Sequence, residues 1–504
     1  MKKANISNLI IVIGFLLLVF LPPLMVNRET GKISETENRF LAPFPELLNE
    51  DGKLVDGFKG GFEDWLNDNI GYRKQFVKLS SNIQYNLLHK SPSEKVQIGK
   101  DGWFFYTLDN NIEIAKGTYG INKELLENIK TTQEELQKYF DEKGIEYVLV
   151  LPTSKVSIYP EKISGGQYSV IETPVDIVSD YLRENTTIHV VDLKDQLLAE
   201  KKNRQVFFKT DTHWTEEGAY VAYRTIINDF NKSGLIDSKP VEVTLREDYR
   251  RGEFSAMMGD SELLPKEKYN ATEIISQAAE RVSEGEQFDR LNQMKDNLSL
   301  SNVYQYKNKT INDNKILIYG DSMFGGWNMT ELLAENFSEL TFAWINQGNF
   351  QNQIDKKMIN DLNPDIVVLE ITERYINQLG NKLNYVNLYG TLNNPKAQII
   401  SHTAPTTIKV DQTYNIDITV KNTGDEKWSE KSSIRLGIWQ DGVDHGYRIN
   451  IPEGTEISPG EEYTFTLSGF VAPPRDSTYL EFQMLQEGVS YFGEKERVDI
   501  QVNQ

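Results

Sequence analysis

The chain has 504 residues, 39% apolar and 25% charged, which excludes a disordered protein and predicts two or three globular domains. Its 54 basic against 74 acidic residues give a net charge of −20, the wrong sign for a nucleic-acid partner, whose phosphates need a basic surface. No cysteine is present, which excludes disulfides, thiolate metal sites and cysteine nucleophiles, and any imidazole chemistry must use His89, His189, His213, His402 or His445.

The N-terminus reads Met-Lys-Lys and then "NLIIVIGFLLLVFLPPLMV", with only apolar residues and one Gly from Leu9 to Leu21. About 18 such residues span a bilayer core, and Lys2 and Lys3 would hold the terminus in the cytoplasm. No small-x-small cleavage site precedes "NRETGKISE". Residues 1–29 are therefore expected to form an uncleaved transmembrane signal anchor, with the rest of the chain outside the cytoplasmic membrane; the alternative is secretion after signal cleavage. Residues 30–94 read as a linker, "ISETENRFLAPFPEL", and a helical lead-in with Phe62, Trp65, Leu66, Phe76 and Val77 at helical spacing.

From residue 95 the pattern changes. "VQIGKDGWFFY" reads as a hairpin around a Lys-Asp-Gly turn, "KELLENIKTTQEELQKYFDEKG" as a helix stopped at Gly144, and "IEYVLVLP" as a fully apolar strand. "TTIHVVDL", "KILIYGDS", "ELTFAWINQG" and "PDIVVLEI" are further strands, and "WTEEGAYVAYRTIINDF" is a helix with Thr215 as its cap. Apolar strands without period-two alternation, interleaved with helices, predict an α/β domain with a parallel sheet covered on both faces. It is expected over 95–390, with the polar stretch 236–305 as an insertion or lid beside the sheet. "YVNLYGTLNNPKAQ" is the expected junction. From 395 to 504, short alternating strands with Gly, Pro and Asp turns predict an all-β sandwich.

Two loops carry candidate chemistry. "IYGDSM" places Ser322 just past a strand, and Gly-Asp-Ser is also ordinary helix-start turn chemistry. A serine nucleophile needs a base and a group that orients it. "FFKTDTHWTEEGAY" offers both: in an extended segment Asp211 and His213 point to one side, on a strand-to-helix loop of the kind where α/β sites are built. The alternatives are a hydrogen-bonded structural histidine beside Trp214, or a pair of metal ligands. A catalytic zinc wants three protein ligands and no second histidine motif appears, so no metal and no cofactor are expected.

"TDTHW" upstream of "YGDS", together with "ETENRFLAPFP", "VQIGKDGWFFY", "LPTSKVSIYPE", "FSAMMGDS" and "NPDIVVLEITER", resembles the alginate-acetylation family of AlgJ and AlgX type, SGNH-like O-acetyltransferases also called DHHW proteins. The resemblance covers about residues 35–380. It implies a circularly permuted SGNH fold, in which the Asp-x-His block precedes the Gly-Asp-Ser block, as it does here. It further implies Ser322 as nucleophile, His213 as general base and Asp211 as the residue that orients it. The Gly-x-Asn-Asp stretch of SGNH hydrolases is replaced by "EITERY". Oxyanion or substrate contacts are therefore sought at the Ser322 N–H, Gly348, Asn349, Arg374 and Tyr375, with Lys155, Tyr159 and Trp214 as further candidates. Arg374 reads equally as an ion pair with Glu373 or another carboxylate, and Lys155 and Tyr159 equally as packing at a strand end.

The implied activity is acetyl transfer through a Ser-linked acetyl-enzyme to hydroxyls of a cell-surface or secreted polysaccharide. The acetyl group would arrive through a membrane acyltransferase of the MBOAT type. A carbohydrate acetyl esterase and a silent polysaccharide-binding scaffold are the alternatives. The C-terminal region resembles a four-tryptophan Ig-like domain in which only Trp428 and Trp439 remain tryptophan, with Phe482 and Tyr491 in place of others. It would bind carbohydrate or dock a partner if its aromatics are exposed, and is plain core if they are buried.

Overall fold

The computed structural model describes residues 2–27, 40–48, 55, 57–166, 168, 172–311, 314–351, 353–385, 388, 392, 395–410, 412–430, 432–452, 454–471, 473–487 and 489–503. Much of the expected junction at "YVNLYGTLNNPKAQ" and the start of the linker after residue 27 lie outside these.

The membrane anchor expected over 1–29 finds no support: among the described residues no helix is long and apolar enough to cross a membrane. A helix does form, Lys2–Leu24. Its unbroken apolar run, Leu9–Leu21, is about 20 Å long at a rise of about 1.5 Å per residue, against a hydrocarbon core of about 30 Å. Pro22 and Pro23 then interrupt the run. The lead-in forms the helices Phe58–Asn69 and Arg73–Asn82.

Among the described residues, eleven strands follow before residue 395. They are β1 (Val96–Ile98), β2 (Phe104–Tyr106), β3 (Glu146–Leu151), β4 (His189–Asp192), β5 (Val243–Arg250) and β6 (Glu267–Ile274). After them come β7 (Ala279–Arg281), β8 (Asn302–Asn308), β9 (Lys315–Gly320), β10 (Glu339–Trp344) and β11 (Ile366–Glu370). The central sheet has the order β4-β3-β11-β9-β10-β8-β7. From β4 to β10 all neighbours are parallel, as expected for apolar runs. The other edge departs from the expected parallel sheet: β8 runs antiparallel to β10, and β7 antiparallel to β8. The stretch 236–305 is thus only in part an excursion. β5 and β6 form a separate antiparallel hairpin, whereas β7 and the start of β8 complete the sheet.

Why the central strands need no alternation is plain from their packing. In β3, Val148 and Val150 join the core that holds Trp214 and, from the helix Glu216–Ser233, Ala222 and Phe230. Tyr147, Leu149 and Leu151 point the other way, into the core with Ile129, Leu136 and Phe140 of the helix Lys123–Asp141. The same split divides Ile316 and Ile318 of β9 from Leu317 and Tyr319. Both faces are covered, so both sets of side chains must be apolar. The arrangement leaves the carboxyl end of the central strand β9 flanked by β10 and β11, and Ser322 lies two residues beyond it.

The C-terminal region is all-β. A three-stranded sheet (Ala397–His402, Thr413–Asn422, Glu462–Val471) and a five-stranded sheet built on Ile434–Gln440, Ser477–Gln486 and Ser490–Asn503 share one core containing Ile418, Trp428, Leu436 and Phe482. Of the aromatics singled out there, Trp428 and Phe482 are fully buried and are core; Tyr491 is exposed. Trp439 is buried with Lys495 Nζ 4.2 Å above its ring.

Candidate active site

Ser322 sits on a turn that its neighbour builds. Asp321 Oδ1 accepts the Met323 N–H at 2.7 Å, the Asx arrangement that closes such turns. The Asp321 N–H donates to Glu370 Oε2 at 2.8 Å, and the Thr372 hydroxyl donates to Asp321 Oδ2 at 3.1 Å. The end of β11 therefore grips the turn at the end of β9. Among the described residues no protein partner is found for the Ser322 N–H.

Asp211 and His213 do not lie on an extended segment, as the spacing suggested, nor directly after a sheet strand. They occupy the tip of a tight loop between the helices Lys194–Glu200 and Glu216–Ser233, closed by a Phe207↔Trp214 bridge. Their proximity comes from an Asx turn, with the His213 N–H 3.2 Å from Asp211 Oδ1. The imidazole then spans the gap: His213 Nδ1 is 2.6 Å from Asp211 Oδ1, and Nε2 is 2.8 Å from Ser322 Oγ. With the Nδ1 proton facing a carboxylate, Nε2 presents its lone pair to the serine hydroxyl.

The surroundings tune this chain. Asp211 Oδ2 accepts from Arg250 Nη2 at 3.0 Å and from the Glu253 N–H at 3.1 Å. Burial would push the Asp211 carboxyl up, but the His213 hydrogen bond and charge, with the Arg250 guanidinium, outweigh it and hold the group below the usual carboxylate range. For His213, burial pulls the imidazole down. The Asp211 hydrogen bond and charge, with Glu253 and Asp321 behind them, outweigh that and raise it above 6.5. Asp211, His213 and Glu253 each bring one ligand-type atom within 4.8 Å of the others. In this structure those atoms are hydrogen-bonded to one another and to Thr212, whose N–H and hydroxyl both donate to Glu253 Oε1.

Three of the further candidates are core. Lys155 is buried, and its ammonium donates to the carbonyls of Phe104 (2.6 Å), Lys209 (2.9 Å) and Asp211 (2.9 Å). Burial drives it down to about 7. It braces the loop under Asp211. Tyr159 stacks on Trp103 with ring centroids 4.1 Å apart and its hydroxyl accepts the Val206 N–H. Trp214 is fully buried.

Gly348 and Asn349 are exposed, but both N–H groups are taken, by Asn346 Oδ1 at 3.2 Å and Asn346 O at 2.9 Å. Arg374 pairs with neither oxygen of Glu373. Its guanidinium is 3.8 Å from Asp321 Oδ2 and 5.1 Å from the Tyr375 ring centre, with a buried Nε that has no partner among the described residues. With Thr212, Met323 and Thr372 it lines a cavity of about 20 Å³ beside the Ser322 turn. Tyr375 donates to Asp109 at 2.8 Å. Arg250 and Glu253 carried no motif in the sequence; only the path of the chain brings them to Asp211.

Residues 96–296 match the family described as "SGNH hydrolase-like domain, acetyltransferase AlgX", the likeness the motifs led one to expect. The matched stretch contains Asp211 and His213; Ser322 lies beyond it. The "Probable alginate O-acetylase AlgJ" of Pseudomonas aeruginosa is 27% identical over 193 residues, 38% of this chain and 45% of the relative. Its namesake in Pseudomonas syringae pv. tomato is 32% identical over 180 residues, 35% and 44% respectively. The chain thus spans less than half the length of these curated relatives. Among solved structures, the O-acetyltransferase domain of Pseudomonas putida AlgJ aligns over 57% of this chain and 98% of its own at 18% identity, with a TM-score of 0.40.

Proposed function

We propose that this chain is a serine O-acetyltransferase that acetylates hydroxyls of a cell-surface or secreted polysaccharide outside the cytoplasmic membrane. One observation carries the reading: the unbroken relay from Asp211 through His213 to Ser322, with contacts of 2.6 and 2.8 Å. The AlgX-type family match and relatives named alginate O-acetylases support the reaction class and the kind of acceptor. The acetyl group would be delivered by a membrane acyltransferase of the MBOAT type.

The chemistry follows acyl-transfer logic. His213 Nε2 takes the Ser322 proton as Oγ bonds to the acetyl carbonyl carbon. The tetrahedral oxyanion is held by the Ser322 N–H, with the Arg374 guanidinium beside it; one such donor is typically worth about 3–4 kcal/mol. Collapse breaks the bond to the donor's leaving group, which receives the proton from His213. A sugar hydroxyl then gives its proton to Nε2 and attacks the acetyl-serine, and Ser322 leaves with that proton. Asp211 stabilises the imidazolium in both halves. In this reading residues 95–390, with 236–305 inserted, form a permuted SGNH-like catalytic unit. Residues 395–504 form an appended Ig-like module for carbohydrate binding or docking.

The test uses the full chain with p-nitrophenyl acetate, alone and with oligosaccharide acceptors, comparing wild type with Ser322→Ala and His213→Ala. An acetyl adduct on Ser322 by mass spectrometry, and turnover that shifts from water to sugar, are expected. Ser322-dependent turnover to water alone would make it an esterase. Equal background rates in all three proteins would overturn the relay and favour a binding scaffold.

A further inference from the structure

The hairpin β5–β6, which in sequence reads as a polar excursion, is bolted to both halves of the relay. On the nucleophile side, Asn328 Nδ2 donates to Thr272 O of β6 at 2.7 Å and to Glu216 Oε2 at 3.1 Å. Asn328 and the preceding Trp327 both adopt left-handed backbone, φ +59° and +64°. Such strain in a bulky residue persists only where its surroundings enforce it. On the acid side, the last residue of β5, Arg250, reaches Asp211 Oδ2 at 3.0 Å. Its guanidinium lies over the Trp327 ring at 4.1 Å and the Phe208 ring at 4.8 Å, while Trp327 packs 5.2 Å from the His213 ring.

We propose that Arg250 is a positioning residue of the relay: held over the Trp327 ring, it fixes the outer oxygen of Asp211 and so keeps His213 in register with Ser322. The inference rests on the acetyl-transfer reading for its consequence, but not for its geometry. An arginine suits the task because its planar fork stacks and donates at once, which a lysine ammonium does not do.

Charge gives the contact a second effect. Three carboxylates bear on His213: Asp211 from its own loop, Glu253 at 3.8 Å from Nδ1, and Asp321 from the nucleophile turn. Asp321 is answered by Arg374. Below the loop, Lys155 caps the Asp211 carbonyl, and Glu267 binds the N–H groups of Lys209 and Thr210. Among the described residues Arg250 is the Arg or Lys cation in direct contact with the Asp211 carboxylate, so it counterweighs the charge that would otherwise keep the imidazole protonated and unable to accept the serine proton.

The experiment compares wild type, Arg250→Gln and Arg250→Lys in two readouts: the His213 ring titration by NMR, assigned with His213→Gln, and the pH profile of Ser322-dependent acetyl release. Gln keeps a donor and drops the charge. It should raise the His213 pKa and the acid limb of kcat/KM together by about 0.5–1 unit. It should also lower plateau kcat by about 10–100-fold. Arg250→Lys should leave the limb near its wild-type place yet lower the plateau. If Arg250→Gln does not fold, Trp327→Leu, which removes the ring beneath the guanidinium, should move the limb in the same direction. A titration and limb that stay put, even with reduced activity, would reduce Arg250 to scaffolding and overturn the proposal. A His213 shift without any Ser322-dependent turnover would instead sink the acetyl-transfer reading and leave Arg250 in its role.

Discussion

Glu373, the residue after Thr372, is fully buried, and its Oε2 accepts the Ser154 N–H and the Ser157 hydroxyl, both at 2.8 Å. Its other oxygen has no partner among the described residues. Burial raises the carboxyl from an ordinary 4.5 to about 7. The folded protein therefore holds this proton at pH values where the unfolded chain has released it. The stabilisation is fully present below pH 4.5 and is lost as the pH rises towards 7. At 1.36 kcal/mol per pH unit, the gap between 4.5 and 7 sets a cost of up to about 3 kcal/mol for the buried charge at pH 8. Glu373→Gln has the same shape, keeps an acceptor for both donors and never ionises. It should match wild type within about 1 kcal/mol at pH 5 and exceed it by up to about 3 kcal/mol at pH 8. Urea unfolding followed by tryptophan fluorescence at both pH values measures the difference. A variant as stable as wild type at pH 8, or less stable, would refute a carboxylic acid forced to ionise in a dry site.

Two further outcomes bear on the relay. Because His213 is raised and only its neutral form accepts a proton, kcat/KM for acetyl release should fall as the pH drops through a value above 6.5. An acid limb at or below 6.5 would mean that Asp211 does not act on His213 as the geometry indicates. Gly252 allows the chain after Arg250 to press on the catalytic loop: a Cβ there would lie 1.9 Å from Thr210 O. Gly252→Ala should cost about 1–3 kcal/mol of stability, and, by moving Arg250 and Glu253 off Asp211, about 10²-fold in kcat. Thermal melts and acetyl release check both, and a wild-type rate would show that the approach does not matter.

The sequence by itself determined what depends on local chemistry. Unbroken apolar runs such as "YVLVL" must be buried on both sides, Thr215 followed by two glutamates starts a helix, and Gly-Asp-Ser after "KILIY" makes a strand-end turn; all of these formed. Spacing alone also paired Asp211 with His213, though the tight Asx turn that joins them is not the extended strand it suggested. Tertiary structure decided the rest, because contacts between residues far apart in the chain leave no periodic trace. β7 and β8 close the sheet antiparallel because the chain returns along its edge, and a strand's pattern does not state its partner's direction. Lys155 read equally as a ligand contact or as packing at a strand end, and it is buried under three carbonyls that only the fold brings together. Arg250 sits in a run of charged residues that reads as solvated surface, and it became part of the site because the hairpin lays it between Asp211 and Trp327, whose carboxylate and ring face only its folded position can satisfy.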